Sequence, residues 1–283
     1  MQVRRVLGAV SLYTPAPRAA LAGAEIAALA GAELTVLTVL RDPWELVRPD
    51  EIESLRRTHG GSPASVAAER AGARLKELAG PAVLSAPSVS YRTAFGWPSV
   101  EIARCAEEMA ADLIVIGRGE EIVQSKEESV TAATLRRSRV PVLVAPLHHR
   151  VYRRILACVD DSPHAPAVLD AALAMGEYHG GHVLAVHVEP ASAGVTSPSA
   201  RRPWQRRLEQ AREDRGTAVA DCETVVRQGD AATEILELAS TENADLIVFG
   251  YRRGLHYGAA GAIATVAVRL LRRAECALLA VPV

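Results

Sequence analysis

Most of this chain is written twice. Residues 111–117 read ADLIVIG and residues 244–250 read ADLIVFG. The tripeptide LRR at 135–137 returns at 271–273, VPVLVAP closes the first copy, and CALLAVPV closes the second. Near the amino terminus, RRVLGAV from Arg4 matches RRILACV from Arg153. A unit of roughly 140 residues therefore occurs twice, and that is about the size of one domain. In 283 residues, two domains with a core each are the natural division. We place them at 1–147 and 151–283, joined by a short polar linker, His148-His149-Arg150.

Within each copy, apolar runs alternate with helical patterns. In the first, Val6–Val10, Leu34–Leu40, Val89–Thr93, Leu113–Ile116 and Val142–Ala145 read as strands. Thr14-Pro15 supplies a helix cap and a proline at the first helical position, and Gly31 stops that helix. Asp42-Pro43-Trp44-Glu45 has the arrangement of a capping box. A helix after Trp97-Pro98 carries Ile102, Cys105, Ala106 and Met109 on one face. The second copy repeats the order, with Ser162-Pro163 and Asp230 as helix caps and Gly180-Gly181 as a stop. Residues 190–203, rich in Pro, Ser and Ala, read as a mobile loop leaving the second strand, with Arg201-Arg202 its expected proteolytic site. Strands this continuously apolar belong in a parallel sheet covered on both faces, an α/β fold. Ligands of such sheets bind beyond the carboxyl ends of the strands, so the residues just after each strand matter most.

Composition narrows the function. A net charge of −1 offers no field for nucleic acid or anionic lipid, and 4% aromatics offers little for base stacking. No uncharged run approaches 18 residues, so no membrane span is expected. The arginines and apolar run at the amino terminus loosely resemble a signal peptide, but their internal repetition at Arg153–Val159 makes both a first strand. Cys105, Cys158, Cys222 and Cys276 form no CxxC pair and read as buried, reduced thiols of a cytoplasmic protein. His179, His182 and His187 lack an acidic or Cys partner at ligand spacing, so no metal site is assigned.

The richest stretch is Ala244–Val283: a strand, a loop of small residues holding Gly250, Gly254, Gly258 and Gly261, a helix with Ile263, Val266, Ala267, Leu270 and Leu271 on one face, and a last strand. A glycine-rich turn feeding a helix presents free N–H groups and a positive dipole end, which suits phosphate. The plain alternative is a tight turn with no ligand. For Asp160 the alternatives are a strand-end turn and a ligand contact; for Arg252 and Arg253, phosphate neutralisation and solvated charge. His164 and His256 sit in the flanking loops, and Trp44, Trp97 and Trp204 at helix starts read as packing staples.

In this order the motifs resemble the universal stress protein family in its tandem form. The carriers are ACVDDS at 157–162, VLAVHVE at 183–189, VVRQGDAATEIL at 225–236 and ADLIVFG with its glycine loop, each with a weaker counterpart in the first half. The resemblance implies two tandem Rossmann-like domains of the HUP type, each a five-stranded parallel sheet with helices on both faces. It also implies ATP or another adenine nucleotide, with magnesium entering only alongside it, bound by G-x2-G-x9-G-(S/T). Here one extra residue separates Gly250 from Gly254, and Ala264 replaces the third glycine. The implied site is Cys158, Val159, Asp160, Val188, Phe249, Gly250, Arg252, Gly254, Ala264, Thr265 and Val266, with Asp160 accepting from ribose hydroxyls. The first half departs from it: Ser11 stands for Asp160, and Glu120, Glu121, Glu127 and Glu128 crowd the shortened loop, where they would repel a triphosphate.

The reading that follows is a cytoplasmic stress-response regulator holding a nucleotide in its second domain without efficient turnover. The alternatives are an interaction scaffold with both sites degenerate and an ATP-using enzyme, for which no paired base and nucleophile can be named. Val142–Ala145 and Leu278–Val281 are apolar edges, expected to pair as an intramolecular pseudo-dimer. A homodimer and a further protein partner are additional options that the sequence does not specify.

Overall fold

The structure, a computed structural model, describes residues 1–13, 17–47, 51, 62–118, 129–146, 151–191, 205–206, 208–210, 222–252 and 263–283, with side chains in the last segment from Val266. The first half contains β1 (Arg5–Ala9), α1 (Arg18–Ala30), β2 (Glu33–Leu40), α2 (Pro63–Ala79), β3 (Ser88–Phe95), α3 (Pro98–Glu108), β4 (Leu113–Gly117), α4 (Val130–Arg137) and β5 (Val142–Ala145). The second contains β6 (Arg154–Cys158), α5 (Ala165–His179), β7 (His182–Glu189), β8 (Cys222–Gln228), α6 (Ala231–Thr241), β9 (Leu246–Tyr251), α7 (Ile263–Arg273) and β10 (Ala277–Pro282). All ten strands form one sheet, ordered β3-β2-β1-β4-β5-β10-β9-β6-β7-β8. Every pairing within a half is parallel. The seam between halves is antiparallel, with Leu279 opposite Leu143 and both fully buried.

Alternation along the strands sorts the core onto two faces, as a period of two requires. Val6, Val115, Leu143, Val248 and Leu279 face α1, α2 and α5, whereas Leu7, Ile114, Val144, Ile247 and Leu278 face α3, α4, α6 and α7. The first of these layers is continuous across the seam, where α1 touches α5. Across the halves the Val3 N–H also donates to the Tyr178 hydroxyl at 3.1 Å.

The duplication extends to polar details. Asp112 accepts from the N–H groups of Arg4 and Arg5 at 2.8 and 2.9 Å, and Asp245 accepts from those of Arg153 and Arg154 at 3.2 and 3.0 Å. One carboxylate thus ties the start of each central strand to its neighbour. Gly96 and Gly229 both take positive φ, 135° and 154°, with Glu101 and Glu234 lying beneath them. A side chain there would be strained by the backbone and would meet the glutamate. Gly31 and Gly180 close α1 and α5 in the left-handed conformation.

Several local expectations need correction. Thr14, Pro15 and Ala16 lie outside the described residues, and α1 starts only at Arg18 after Pro17. Ser162 does not cap α5. Its hydroxyl donates to Asp160 at 2.6 Å, and the helix begins later, at Ala165 behind His164. The Asp42 capping box is present but supports only a three-residue 3-10 turn, Pro43–Glu45. Trp44 and Trp97 are exposed, so neither is a packing staple, and Trp204 lies outside the described residues. Cys105 and Cys222 are buried, whereas Cys158 and Cys276 are only half-buried, and all four are free. Among the described residues, no helix is long and apolar enough to cross a membrane.

Candidate functional site

Sheets of this order split at their central strands, and the crevice opens beyond the carboxyl ends. In the second half a cleft of about 350 Å³ occupies that place, near the lower end of the roughly 300–1,000 Å³ found for small-molecule sites. Its floor comes from the ends of β6 and β9, through Cys158, Val159, Phe249, Gly250 and Tyr251. One wall is apolar: Val186 and Val188 of β7, Ile235 of α6, and Val266 and Ala267 of α7. The other is the start of α5, with Ala165 and Val168, and the carboxyl-terminal Val283. Polar groups stand at the mouth: Asp160, Ser162, His164 and Arg252.

Ala165, Ala231 and Val266 belong to the first turns of α5, α6 and α7, so three helix N-termini converge on one cleft. Their unsatisfied N–H groups and positive dipole ends favour an anion between them. A cavity of about 310 Å³ opens at the opposite, amino ends of the strands, between Arg154, His182, Glu223 and Glu242. No convergence of helix N-termini marks that end, so the carboxyl-end cleft is the candidate site.

Asp160 is held by local chemistry. Its Oδ1 accepts from the Ser162 N–H at 3.1 Å and from the Ser162 hydroxyl at 2.6 Å. Its Oδ2 has no hydrogen-bond partner among the described residues, and the residue lines the cleft. Beneath it, buried His187 places Nδ1 2.9 Å from the Val159 carbonyl oxygen. A carbonyl only accepts, so Nδ1 carries the proton and Nε2 faces Asp161, 3.8 Å away. The Cys158 thiol is pushed well up from its usual pKa by burial, which keeps it neutral. At the outer rim, Arg269 of α7 bonds Asp230 at 2.5 Å and the Thr233 hydroxyl at 2.7 Å, bracing α6 against α7. Asp230 also caps α6, accepting from the Thr233 N–H at 3.0 Å. The Thr233 hydroxyl and N–H, then Arg269, hold its carboxyl below the usual range.

Of the residues expected from sequence, Cys158, Val159, Asp160, Val188, Phe249, Gly250, Arg252 and Val266 line this one cleft. Gly254, Arg253 and His256 lie outside the described residues, as do the side chains of Ala264 and Thr265 and most of the 190–203 loop. Sequence reasoning missed the walls: Val168, Val186, Ile235, Ala267 and Val283. Their spacing marks them as inward-facing and does not separate a residue at a strand end from one in mid-core. His187 was weighed only as a metal ligand and instead supports the floor.

The corresponding end of the first half is built differently. Ser11 Oγ accepts from the Tyr13 N–H at 3.2 Å, the same turn that Asp160 makes. The Tyr13 hydroxyl donates to Glu45 at 2.5 Å. Partial burial and Glu45 itself push the Tyr13 pKa up to about 12. Burial opposes ionisation of Glu45, but the Tyr13 hydroxyl and the N–H groups of Asp42 and Arg41 outweigh it and hold that carboxyl low. Glu120, Glu121, Glu127 and Glu128 lie outside the described residues.

The Universal stress protein family profile matches this chain twice, over residues 2–146 and 151–282. A curated relative, the "universal stress protein in QAH/OAS sulfhydrylase 3'region" of Thermus aquaticus, is 34% identical over 139 residues, spanning 46% of this chain and 99% of its own. Among solved structures, a universal stress protein from Archaeoglobus fulgidus DSM 4304 superposes with a TM-score of 0.65 at 18% identity, covering 99% of this chain and 97% of that one. A putative universal stress protein from Pseudomonas aeruginosa UCBPP-PA14 gives 0.63 at 17% identity, covering 99% and 93%. At these identities the structural likeness speaks to the fold.

Proposed function

The chain belongs to the universal stress protein family, carrying two of its domains in tandem, and we propose that the second domain, 151–283, binds an adenine nucleotide without efficient turnover. The first domain, 1–147, is a degenerate copy in this reading. The observation that carries it is the convergence of three helix N-termini on a cleft with an apolar wall and one half-engaged carboxylate. The wall of Val186, Val188, Ile235 and Ala267 suits the flat faces of adenine. In this reading Asp160 Oδ2 accepts from a ribose hydroxyl, and the helix ends with Arg252 meet the phosphates, with magnesium entering alongside them. Occupancy would act by changing a surface that a protein partner reads, in the cytoplasm, where free thiols persist. The β5–β10 seam makes the chain its own pseudo-dimer in this reading, and further homodimerisation would use another surface.

One observation favours the scaffold alternative: Asp160 Oδ1 already serves the same turn that Ser11 serves in the first half. Two measurements decide between them. Mass spectrometry of small molecules released from the freshly purified protein should find adenine nucleotide, and calorimetry should find one ATP site per chain. A charged hydrogen bond contributes roughly 1.5–3 kcal/mol, so Asp160→Ala should weaken binding by about tenfold to a hundredfold. No retained nucleotide together with no heat at millimolar ATP would leave the scaffold.

A further inference from the structure

The sheet ends on two edge strands, β3 and β8. β8 is the barer: within Cys222–Gln228 only Cys222 is buried, and Val226 is 52% exposed. Pairing with β7 fixes which of its backbone groups point outward. The Gly229 N–H donates to the Glu189 carbonyl oxygen at 2.9 Å, beyond a ladder that runs without a break from Cys222 to Gln228. Alternation then turns the backbone groups of Glu223, Val225 and Arg227 toward β7 and those of Thr224 and Val226 outward. Among the described residues, these outward N–H and C=O groups have no partner. Side chains alternate as well, so Glu223, Val225 and Arg227 share the face toward α6, where all three line the amino-end cavity.

That pattern is complementary to itself. In antiparallel pairing, outward residues of one strand meet outward residues of the other. The register centred on Val225 satisfies this rule. Thr224 exchanges N–H···O=C bonds with Val226 of the second copy, Val225 faces Val225, and Glu223 faces Arg227 on both sides of the axis. The charged pairs fall at the non-hydrogen-bonded positions, where side chains lie closest. Centring on Thr224 or Val226 instead keeps the backbone bonds but puts Glu223 opposite Val225 or Gly229. Glu223 is 75% exposed, with His182 of β7 3.7 Å away, and exposed Arg227 makes no ion pair among the described residues. The other charges round the cavity, Arg154, His182 and Glu242, stand behind the edge on β6, β7 and the end of α6. β3 lacks this match. The Gly96 N–H donates to the Leu40 carbonyl oxygen at 2.8 Å, which turns Tyr91 and Thr93 outward. Its one charged side chain, Arg92, already bonds Glu108 at 3.2 Å and would face itself or Ser90 in the centred registers.

We propose that β8 is a self-association edge, on which a second copy of this chain adds its own β8 antiparallel, centred on Val225, to extend the sheet. Such an interface is isologous, as a closed dimer requires. The molecule already uses antiparallel edge pairing once, at the β5–β10 seam. The inference is independent of nucleotide binding. A contact this small makes a weak, reversible dimer.

Sedimentation velocity on the full-length protein, over a concentration series reaching the high micromolar range, should show a monomer–dimer equilibrium. Val226→Pro removes an outward N–H and spares the β7 ladder, so the dimer should be lost. Thr93→Pro, the matched change on β3, should leave it unchanged. Glu223→Arg and Arg227→Glu each set like charges face to face and should weaken association by about tenfold or more. Combining both changes in one chain, or mixing the two single variants, restores opposite charges at both pairs and should bring the dissociation constant back to within about threefold of wild type. Circular dichroism checks that each variant stays folded, and if Val226→Pro does not, the charge exchange decides alone. Monomer at every concentration, a dimer retained in Val226→Pro, a dimer lost in folded Thr93→Pro, or no rescue on charge exchange overturns the proposal. So does open-ended growth, the mark of β8 meeting β3.

Discussion

The two halves share a strand order, a paired aspartate under the first strand and a glycine over a glutamate after the third strand. Among the described residues they differ most clearly where strands end. Counting from the strand pairings of each half, Asp160 answers to Ser11, Ser162 to Tyr13, Asp230 to Trp97, and Tyr251 to Arg118. Every one of these changes removes a feature of the second-half cleft or puts a bulky or charged side chain in its place. All four lie at or just beyond strand ends, and the strand order is the same in both halves, so these positions can diverge while the sheet stays intact. Function sits in the turns and the scaffold tolerates their divergence.

Arg118 shows what a diverged strand end can do. It follows Gly117 at the root of the first-half loop, and its guanidinium crosses the seam to donate to the carbonyl oxygens of Ala274 and, at 2.9 Å, Cys276. Those carbonyls lie just past the end of α7, where a cation also meets the negative end of the helix dipole. Burial pulls the guanidinium pKa down, yet two carbonyl acceptors keep it hydrogen-bonded. The helix whose first turn faces the second-half cleft is thus anchored at its far end by the other half.

The largest blow to the comparison would fall on what the halves share, the seam. Leu143→Glu with Leu279→Glu puts two carboxylates face to face in a fully buried pair. Each costs several kcal/mol to bury, against a total stability of about 5–15 kcal/mol. Aggregation or loss of cooperative unfolding is expected by light scattering and thermal melts. A soluble double variant with the wild-type melting curve would mean that the halves do not share this seam in solution.

Next in size is a swap that gives the second half the charge of the first. Thr265→Glu brings to α7 the kind of residue the first half carries at Glu128. A carboxylate in the first turn of that helix competes with phosphate for the same positive end. Calorimetry should detect no ATP binding, while the melting temperature stays within a few degrees of wild type. Retained binding would separate the cleft from the phosphate site.

The fold was legible because its signals are local and repeated: apolar strands, helical faces, Gly31 and Gly180 as stops. Strand-end candidates such as Asp160, Val188 and Gly250, which the structure brings to one cleft, were legible for the same reason. The clamp made by Arg118 was not, since its partners lie 156 and 158 residues away and a lone arginine in a loop reads as solvated charge. Trp97 was misread because Gly-Trp-Pro before a helix has the form of a packing staple. Only the structure shows its ring turned outward under Arg41. Ser162 was misread as a cap because its competing acceptor, Asp160, is as close in sequence as the helix itself.

A smaller effect tests the clamp. Arg118→Ala removes two hydrogen bonds from a charged, half-buried group, leaving two carbonyls uncapped. The expected loss is about 1–3 kcal/mol of stability, and each kcal/mol lowers the melting temperature by about 2–4 °C in a protein of this size. ATP affinity should hold within about twofold, because α7 keeps its packing through Ala267, Leu270 and Leu271. An unchanged melting temperature would show that the clamp contributes nothing to joining the halves.

The finest comparison exchanges the two turn residues. Asp160 and Ser11 each accept from the N–H two residues on, so replacing either with alanine disturbs a turn as well as a ligand contact. Asp160→Ser keeps the turn acceptor and removes only the second carboxylate oxygen. If Oδ2 faces the ribose, this variant should bind ATP about five- to tenfold more weakly, with stability unchanged within about 0.5 kcal/mol. Ser11→Asp keeps the turn and adds a carboxylate to a half that lacks the rest of the cleft, so calorimetry should still count one site. If Asp160→Ser binds like wild type while Asp160→Ala does not, the aspartate acts only through its turn, and the halves differ at this position in name alone.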